Sequence, residues 1–562
     1  MSGKTCCPDS EVSEKRRSVR NRRLILVLSI LLLGVIASRF FNKPIDKKQV
    51  GKLFIVGYKG EEPSEEFLSF VKEWGIGGVI VFARNLSDPL LLPARLKKIE
   101  TAAGCKIFTA IDQEGGPVLR ILSHGSTFPS AMALSAVDSE ELTEKTYEAI
   151  GKEMLALGLN WNLAPVLDIN HPNNPGIGIR SFGDTPERVA RFGIAAVKGL
   201  RKGGVLACAK HFPGKGAAQK DSHLTLPVIP FSAEHLRAVE LFPFKKAIEN
   251  NVNAIMTSHI FFPAFEKTEN LPVTLSKSVL TDLLRKELGF KGLIITDDLE
   301  MGAITESFGV AQAALKSFMA GADQLLICHH LDKQKEAAEA VFREVENNPE
   351  AAGRLKESLI RIEKAKKLIK PIPEGITLDD LSKQHLTLIR ETSEKSIKFL
   401  RYDKNSLPIA NDESTLFVLP LIATLVQVEE GHENNILVGI IQKTFDKAKT
   451  VIYDTKAELN EIKRLVESAG KVSRVVFMTN NGHLFKNQIE AAGSIAEQGV
   501  EVIVVALRNP YDIFECPFAK TCAATFGFRI PVIEVLIDVL SGKKQPSMTT
   551  SWPVDVQLHD EE

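Results

Sequence analysis

The chain has 562 residues, with 70 basic and 70 acidic side chains balancing to zero formal charge, and it is 44% hydrophobic and 25% charged. That length exceeds one ordinary core and points to two domains of globular composition, and with no basic excess nucleic acid is not an expected partner. Seven scattered cysteines without paired spacing argue against a zinc or disulfide framework; only Cys516 and Cys522, on either side of Pro517, are placed to bridge.

Residues 1–23 form a polar tail that ends in a basic cluster of Lys15, Arg16, Arg17, Arg20, Arg22 and Arg23. The hydrophobic segment 24–41 follows, richest from Leu24 to Ala37. It reads as a signal peptide, with Ala37 suited to cleavage, or as an uncleaved signal anchor, which the long charged tail favours. In both readings the cationic flank stays in the cytoplasm. The membrane is then a partner through this segment, and the catalytic domain lies outside the cytoplasm, in the cell envelope or periplasm.

Over 50–370 short apolar runs alternate with amphipathic stretches. Strands are predicted at 53–58, 78–82, 106–111, 160–167, 205–209, 254–258, 292–296 and 324–328. Helices are predicted at 64–74, 88–103, 139–157, 186–202, 234–250, 276–288, 310–320 and 333–346. Eight strand–helix units predict an α/β fold of the parallel (β/α)8, TIM-like barrel type. A doubly wound sheet is the alternative, but no G-x-G-x-x-G follows the first strand. Residues 371–396 read as a Pro-stiffened linker and a helix. Residues 397–562 read as a smaller layered α/β domain, with apolar runs at 416–421, 436–441, 450–453, 474–478 and 500–506 and a loop-like ending.

Six of the predicted barrel strands end in ionisable residues: Asp112; Asp168 with His171; Lys210 with His211; His259; Asp297 with Asp298; and His329 with His330. A barrel gathers such positions on the C-terminal rim, where sites are built. The fifth strand runs into Lys210-His211-Phe212-Pro213-Gly214-Lys215-Gly216, followed by Asp221-Ser222-His223. Proline and glycine keep this segment out of helix and sheet, and Asp221 is spaced to set the tautomer of His223. Adjacent strand residues face opposite ways, so only one of Asp297 and Asp298 can face a substrate. His124 and His171 carry no functional signal.

The Lys210–Gly216 loop with Asp221-Ser222-His223 resembles the bacterial β-N-acetylhexosaminidases of glycoside hydrolase family 3, in their two-domain form. So do Ile111-Asp112-Gln113-Glu114-Gly115-Gly116, Arg180-Ser181-Phe182-Gly183 and Ile295-Thr296-Asp297-Asp298-Leu299-Glu300-Met301. The resemblance implies a retaining exo-β-N-acetylglucosaminidase acting on peptidoglycan-derived sugars. Asp297 would be the nucleophile, and His223 the general acid/base partnered by Asp221. Asp112, Arg120, Arg180, Lys210 and His211 would bind the sugar. A carboxylate that attacks the anomeric carbon and a proton donor for the leaving oxygen are what retaining hydrolysis requires. Neither cofactor nor metal is expected, and the partner is a carbohydrate.

His259, His329, His330 and Asp168 read as rim or supporting residues rather than catalysts, and Arg120 has pairing with Glu114 at the surface as its bland alternative. Lys215 departs from the histidine usual in the family loop, which predicts altered loop packing or pH response rather than lost activity. Three rivals stand. A β-glucosidase or β-xylosidase of the same family would take its acid/base from a second-domain glutamate. A metal-dependent barrel hydrolase would use His211, His223, His259 and Asp297. The third is a non-catalytic, envelope-anchored sugar-binding protein.

Overall fold

The computed structural model describes residues 45–218, 226–422, 424, 429, 434–548 and 551–555. The basic tail, the hydrophobic segment 24–41 and the Asp221/His223 pair lie outside the described residues. Among the described residues, no helix is long and apolar enough to cross a membrane.

Eight parallel strands form the first sheet: β1 (Phe54–Val56), β2 (Gly78–Val81), β3 (Phe108–Ile111), β4 (Trp161–Asn162), β5 (Leu206–Phe212), β6 (Ala254–Thr257), β7 (Leu293–Ile295) and β8 (Leu325–Ile327). Their order, β7-β6-β5-β4-β3-β2-β1-β8, is that of a barrel cut open between β7 and β8. Every strand residue is buried, which is why these segments read as continuous apolar runs rather than alternating ones. β4 is much shorter than its predicted 160–167, although the chain beyond it stays tied to β5, with the Cys208 N–H donated to the Ala164 carbonyl at 2.8 Å and the Leu167 N–H to the Lys210 carbonyl at 2.6 Å. The helices between strands are locally specified. Glu65–Trp74, for example, starts where the Ser64 side chain accepts the Phe67 N–H at 3.2 Å and stops at left-handed Gly75.

The β7–β8 seam is closed by the Ile295–Gln324 bridge and by the Asp323 N–H, donated to the Ile294 carbonyl at 2.7 Å. The fully buried Asp323 carboxylate accepts from the Ile294 N–H at 3.1 Å, Ser358 Oγ at 2.8 Å, Arg354 at 3.0 Å, Arg361 at 3.1 Å, and Arg285. Burial alone would raise its pKa; the three guanidiniums outweigh burial and hold it below the usual carboxylate range.

The helix Leu378–Ser396 opens on a Thr377/Asp380 capping box and leads into the second domain. His124, silent in the sequence, meets this helix at Asp379, 3.0 Å away. The second sheet contains β9 (Lys398–Arg401), β10 (Thr415–Pro420), β11 (Lys449–Tyr453), β12 (Arg474–Thr479), β13 (Glu501–Ala506) and β14 (Thr521–Ala524). Its order is β11-β10-β12-β13-β14-β9, parallel except for the edge strand β9. Of the five predicted runs, 436–441 is helical (Asn434–Gln442), and β9 and β14 were not predicted. Cys516 and Cys522 do not bridge: both are free and buried, and the Cys516 thiol donates to the Asp512 carbonyl at 3.1 Å.

The second domain seats directly on the barrel loops. Met132, Ala133, Ala136 and Ile179 of the barrel join its hydrophobic core. Ser130 Oγ donates to the Phe526 carbonyl at 2.6 Å, and Arg529 donates to the carbonyls of Gly116 at 3.0 Å and Pro117 at 3.3 Å.

Removing one partner of a buried charge cluster costs about 3–5 kcal/mol. Asp323→Ala is therefore expected to destabilise the protein by about that amount in urea unfolding, whereas a change within about 0.5 kcal/mol would show that the seam does not depend on it.

Candidate active site

At the C-terminal ends of the barrel strands lies a cavity of about 550 Å³. Each described residue predicted for the site lines it: Asp112, Arg120, Arg180, Lys210, His211 and Asp297. Asp112 follows β3, Lys210 and His211 belong to β5, Asp297 follows β7, and Arg180 ends the turn Gly178–Arg180. The β3 loop doubles back sharply at Gly115, whose φ is 98° and where a Cβ would stand 2.4 Å from the Pro129 carbonyl oxygen.

Charges on this wall are matched pair by pair. Lys210 Nζ lies 2.7 Å from Asp112 and 2.6 Å from Glu114. Arg180 grips Glu114 with two parallel bonds, Nε to Oε2 and a terminal nitrogen to Oε1, both 2.8 Å. Arg120 is buried and stands 3.8 Å from Asp112. The bland alternative for Arg120, a surface pairing with Glu114, does not hold: both residues are buried, and the tight β3 loop turns Glu114 inward to Arg180. Burial would raise the Glu114 pKa, but Arg180 and Lys210 outweigh it and hold the carboxyl far below its usual range. Burial would likewise lower Lys210, and Asp112 with Glu114 reverse this. Glu114 belongs to the site although the sequence reading gave it no role there. Its signal was present, since two residues past Asp112 it shares that residue's face of the extended chain.

A second pair supports His211. Its Nδ1 lies 2.6 Å from the fully buried Asp168 carboxylate, which also accepts the N–H groups of His211 at 3.3 Å and Lys215 at 2.7 Å. Burial pushes the His211 pKa well below its ordinary value and pushes that of Asp168 up. A neutral imidazole donating from Nδ1 satisfies both shifts and leaves Nε2 as a hydrogen-bond acceptor toward the cavity. Asp168 thus orients a cavity-lining residue from behind, as a supporting residue would. Lys215 lines the cavity, and burial lowers its pKa against the opposing pull of Asp297. The main chain, not the side chain, ties Lys215 into the loop, through Asp168 and through Asn174, whose amide donates to the Lys215 carbonyl at 3.0 Å.

Asp297 Oδ1 accepts the Asp298 N–H at 2.9 Å. Asp298 is engaged elsewhere, accepting the N–H groups of Glu300 and Cys328 at 3.2 Å each and pairing with His329 at 3.2 Å. His259 is buried between Thr274 Oγ1 and the Asp298 carbonyl, 2.9 Å from each. Asp298, Glu300 and His329 bring three potential metal-ligand atoms within 4.8 Å of one another. Glu300, however, already accepts the His330 N–H at 3.2 Å and pairs with the His330 ring at 2.8 Å, while Arg84 sits 3.3 Å from His329 Nδ1. A guanidinium at that distance opposes a metal cation. Glu429, from the second domain, also lines the cavity and pairs bidentately with Arg508 at 2.7 and 2.9 Å. No strand end or motif marked it in the sequence.

The Glycosyl hydrolase family 3 N terminal domain matches residues 45–365, so the chain belongs to glycosyl hydrolase family 3. Its relatives place it with the β-hexosaminidases of that family. It is 36% identical over 282 residues to β-hexosaminidase A of Pseudoalteromonas piscicida, a match that spans 47% of each chain and so about half of that relative. It is also 36% identical over 286 residues to the β-hexosaminidase of Neisseria meningitidis serogroup C, covering 50% of this chain and 78% of that one. The structure of a glycoside hydrolase family 3 β-N-acetylglucosaminidase from Paenibacillus sp. str. FPU-7 superposes with a TM-score of 0.82 at 34% identity, covering 91% of this chain and 98% of that one. The α/β barrel with a second α/β domain is shared with that structure.

Glu114→Gln keeps the shape of the side chain and removes the charge shared by Lys210 and Arg180. It is expected to lower kcat/KM for a chromogenic N-acetyl-β-glucosaminide by ~10²-fold. A rate within about 3-fold of wild type, set against that expectation, would show that the pairing does not position the cavity side chains for turnover.

Proposed function

We propose that the protein is a retaining exo-β-N-acetylglucosaminidase that removes terminal β-linked N-acetylglucosamine from peptidoglycan-derived sugars. The observation that carries this reading is the convergence of Asp297, Asp112, Arg120, Arg180, Lys210 and His211 on one cavity. The likeness to β-hexosaminidases and to a β-N-acetylglucosaminidase supports the choice of sugar.

In this mechanism the Asp297 carboxylate attacks the anomeric carbon while His223, oriented by Asp221, protonates the leaving oxygen. Water, deprotonated by the same imidazole, then releases the sugar from Asp297. Asp298 is a poor substitute nucleophile because the Cys328 and Glu300 N–H groups and His329 occupy it. A cavity wall whose Lys210 and Arg180 are already neutralised by Asp112 and Glu114 favours a neutral sugar held by hydrogen bonds, to which Arg180, Lys210 and the acceptor nitrogen of His211 contribute. The basic tail and hydrophobic segment 24–41 favour membrane association with the barrel outside the cytoplasm, where wall-derived sugars occur.

A second reading draws on Glu429, a second-domain carboxylate at the cavity, as the acid/base of a β-glucosidase. Its bidentate pairing with Arg508 weighs against it, since both carboxylate oxygens are already held by the guanidinium.

Rates on chromogenic N-acetyl-β-glucosaminide and β-glucoside separate the two readings. Asp297→Ala should reduce turnover of the former by ~10³-fold or more, and His223→Ala should impair it strongly while Glu429→Gln does not. Equal wild-type rates on the two sugars would overturn the specificity, and unimpaired turnover in Asp297→Ala would overturn the mechanism.

A further inference from the structure

Past Lys210 and His211 the chain runs to Lys215 and Gly216, seven residues before His223. That root is gripped by residues 168–174, the loop after β4. Asp168 accepts the Lys215 N–H at 2.7 Å, and the Asn174 amide donates to the carbonyls of Lys215 at 3.0 Å and Gly216 at 2.8 Å. Gly216 packs so closely on Ile169 that a Cβ would stand 1.7 Å from the Ile169 carbonyl oxygen. Asn174 Oδ1 is meanwhile held by the Gly176 N–H at 2.9 Å.

The second domain grips the same loop from its other side. His483 Nε2 donates to the Pro172 carbonyl at 3.0 Å, and Asn170 donates to the Tyr511 hydroxyl at 2.9 Å. The rings of His483 and Tyr511 pack edge to face, with centroids 5.2 Å apart. His483 is fixed in turn by Asp512, with Nδ1 2.6 Å and its backbone N–H 3.0 Å from Oδ1, while Oδ2 accepts from Thr479 Oγ1 at 2.6 Å. Burial alone would raise the Asp512 pKa; the His483 ring and the Thr479 hydroxyl hold it below the usual range. Both His483 and Asp512 are buried, and neither lines the cavity.

Apolar side chains seal an interface at lower desolvation cost than a buried imidazole–carboxylate pair, whose advantage is that it fixes one geometry. We infer that His483, held by Asp512, is a positioning residue for the reaction: through Pro172 and the 168–174 loop, the second domain sets the root of the segment that carries His223. This rests on the proposed role of His223 as the general acid. A small displacement of a proton donor costs most where the leaving group needs the proton.

The test compares kcat/KM on two N-acetyl-β-glucosaminides, a 2,4-dinitrophenyl glycoside that departs without protonation and a methyl glycoside that does not. The variants are His483→Phe, His483→Gln, Tyr511→Phe and His223→Ala. His483→Phe should lose ~10–100-fold on the methyl glycoside and no more than about 3-fold on the dinitrophenyl glycoside. His483→Gln, which can still donate to Pro172, should recover most of the loss. Tyr511→Phe removes only a hydroxyl; it should show the same selective pattern more weakly, and it carries the test if His483→Phe does not fold. Equal losses on both substrates, or no loss, in the His483 and Tyr511 variants beside a selective loss in His223→Ala would overturn the role of His483 alone. Equal losses in His223→Ala would overturn the acid/base assignment, and this inference with it.

Discussion

The site depends on the two-pronged contact between Glu114 and Arg180, with Lys210 bridging Glu114 and Asp112. Four charges are taken out of water there, and only near-ideal geometry recovers the desolvation they suffer. That geometry requires the ends of β3 and β5 and the Gly178–Arg180 turn to meet within hydrogen-bonding distance, so the barrel register and the wall of the cavity are one constraint. The outcome is a wall rich in donors yet close to neutral, suited to hydroxyl and amide groups rather than to an ion.

The second domain belongs to that constraint. Arg529 holds the Gly116 and Pro117 carbonyls just beyond Glu114, His483 and Tyr511 hold the loop after β4, and Glu429 reaches the cavity itself. Two of the loops that build the site are therefore pinned from outside the barrel. A barrel without this domain would carry the same motifs with the backs of those loops exposed.

The barrel was legible because its strands are short apolar runs, six of them stopped by ionisable residues, a pattern that a sheet buried on both faces produces. The cavity residues were legible for the same reason: Asp112, Lys210, His211 and Asp297 come at or directly after strand ends. What escaped were relations between distant segments. Glu114 pairs with Arg180 across 66 positions, and His211 with Asp168 across 43, and a linear reading offers no way to rank such partners. β9 and β14 escaped because Lys398–Arg401 carries a charge at each end and Thr521–Ala524 is built of small residues, so neither shows a strong strand preference. Cys516 and Cys522 suggested a bridge by spacing alone, whereas burial and the Asp512 carbonyl account for the Cys516 thiol.

Everything proposed about the chemistry passes through a covalent bond between Asp297 and the sugar. The most direct test is to incubate the enzyme with a 5-fluoro-N-acetyl-β-glucosaminyl fluoride, which slows release of the sugar, and to map the labelled peptide by mass spectrometry. The account predicts one added sugar on the peptide containing Asp297. A label on any other peptide, or a substrate consumed without any label, would contradict it.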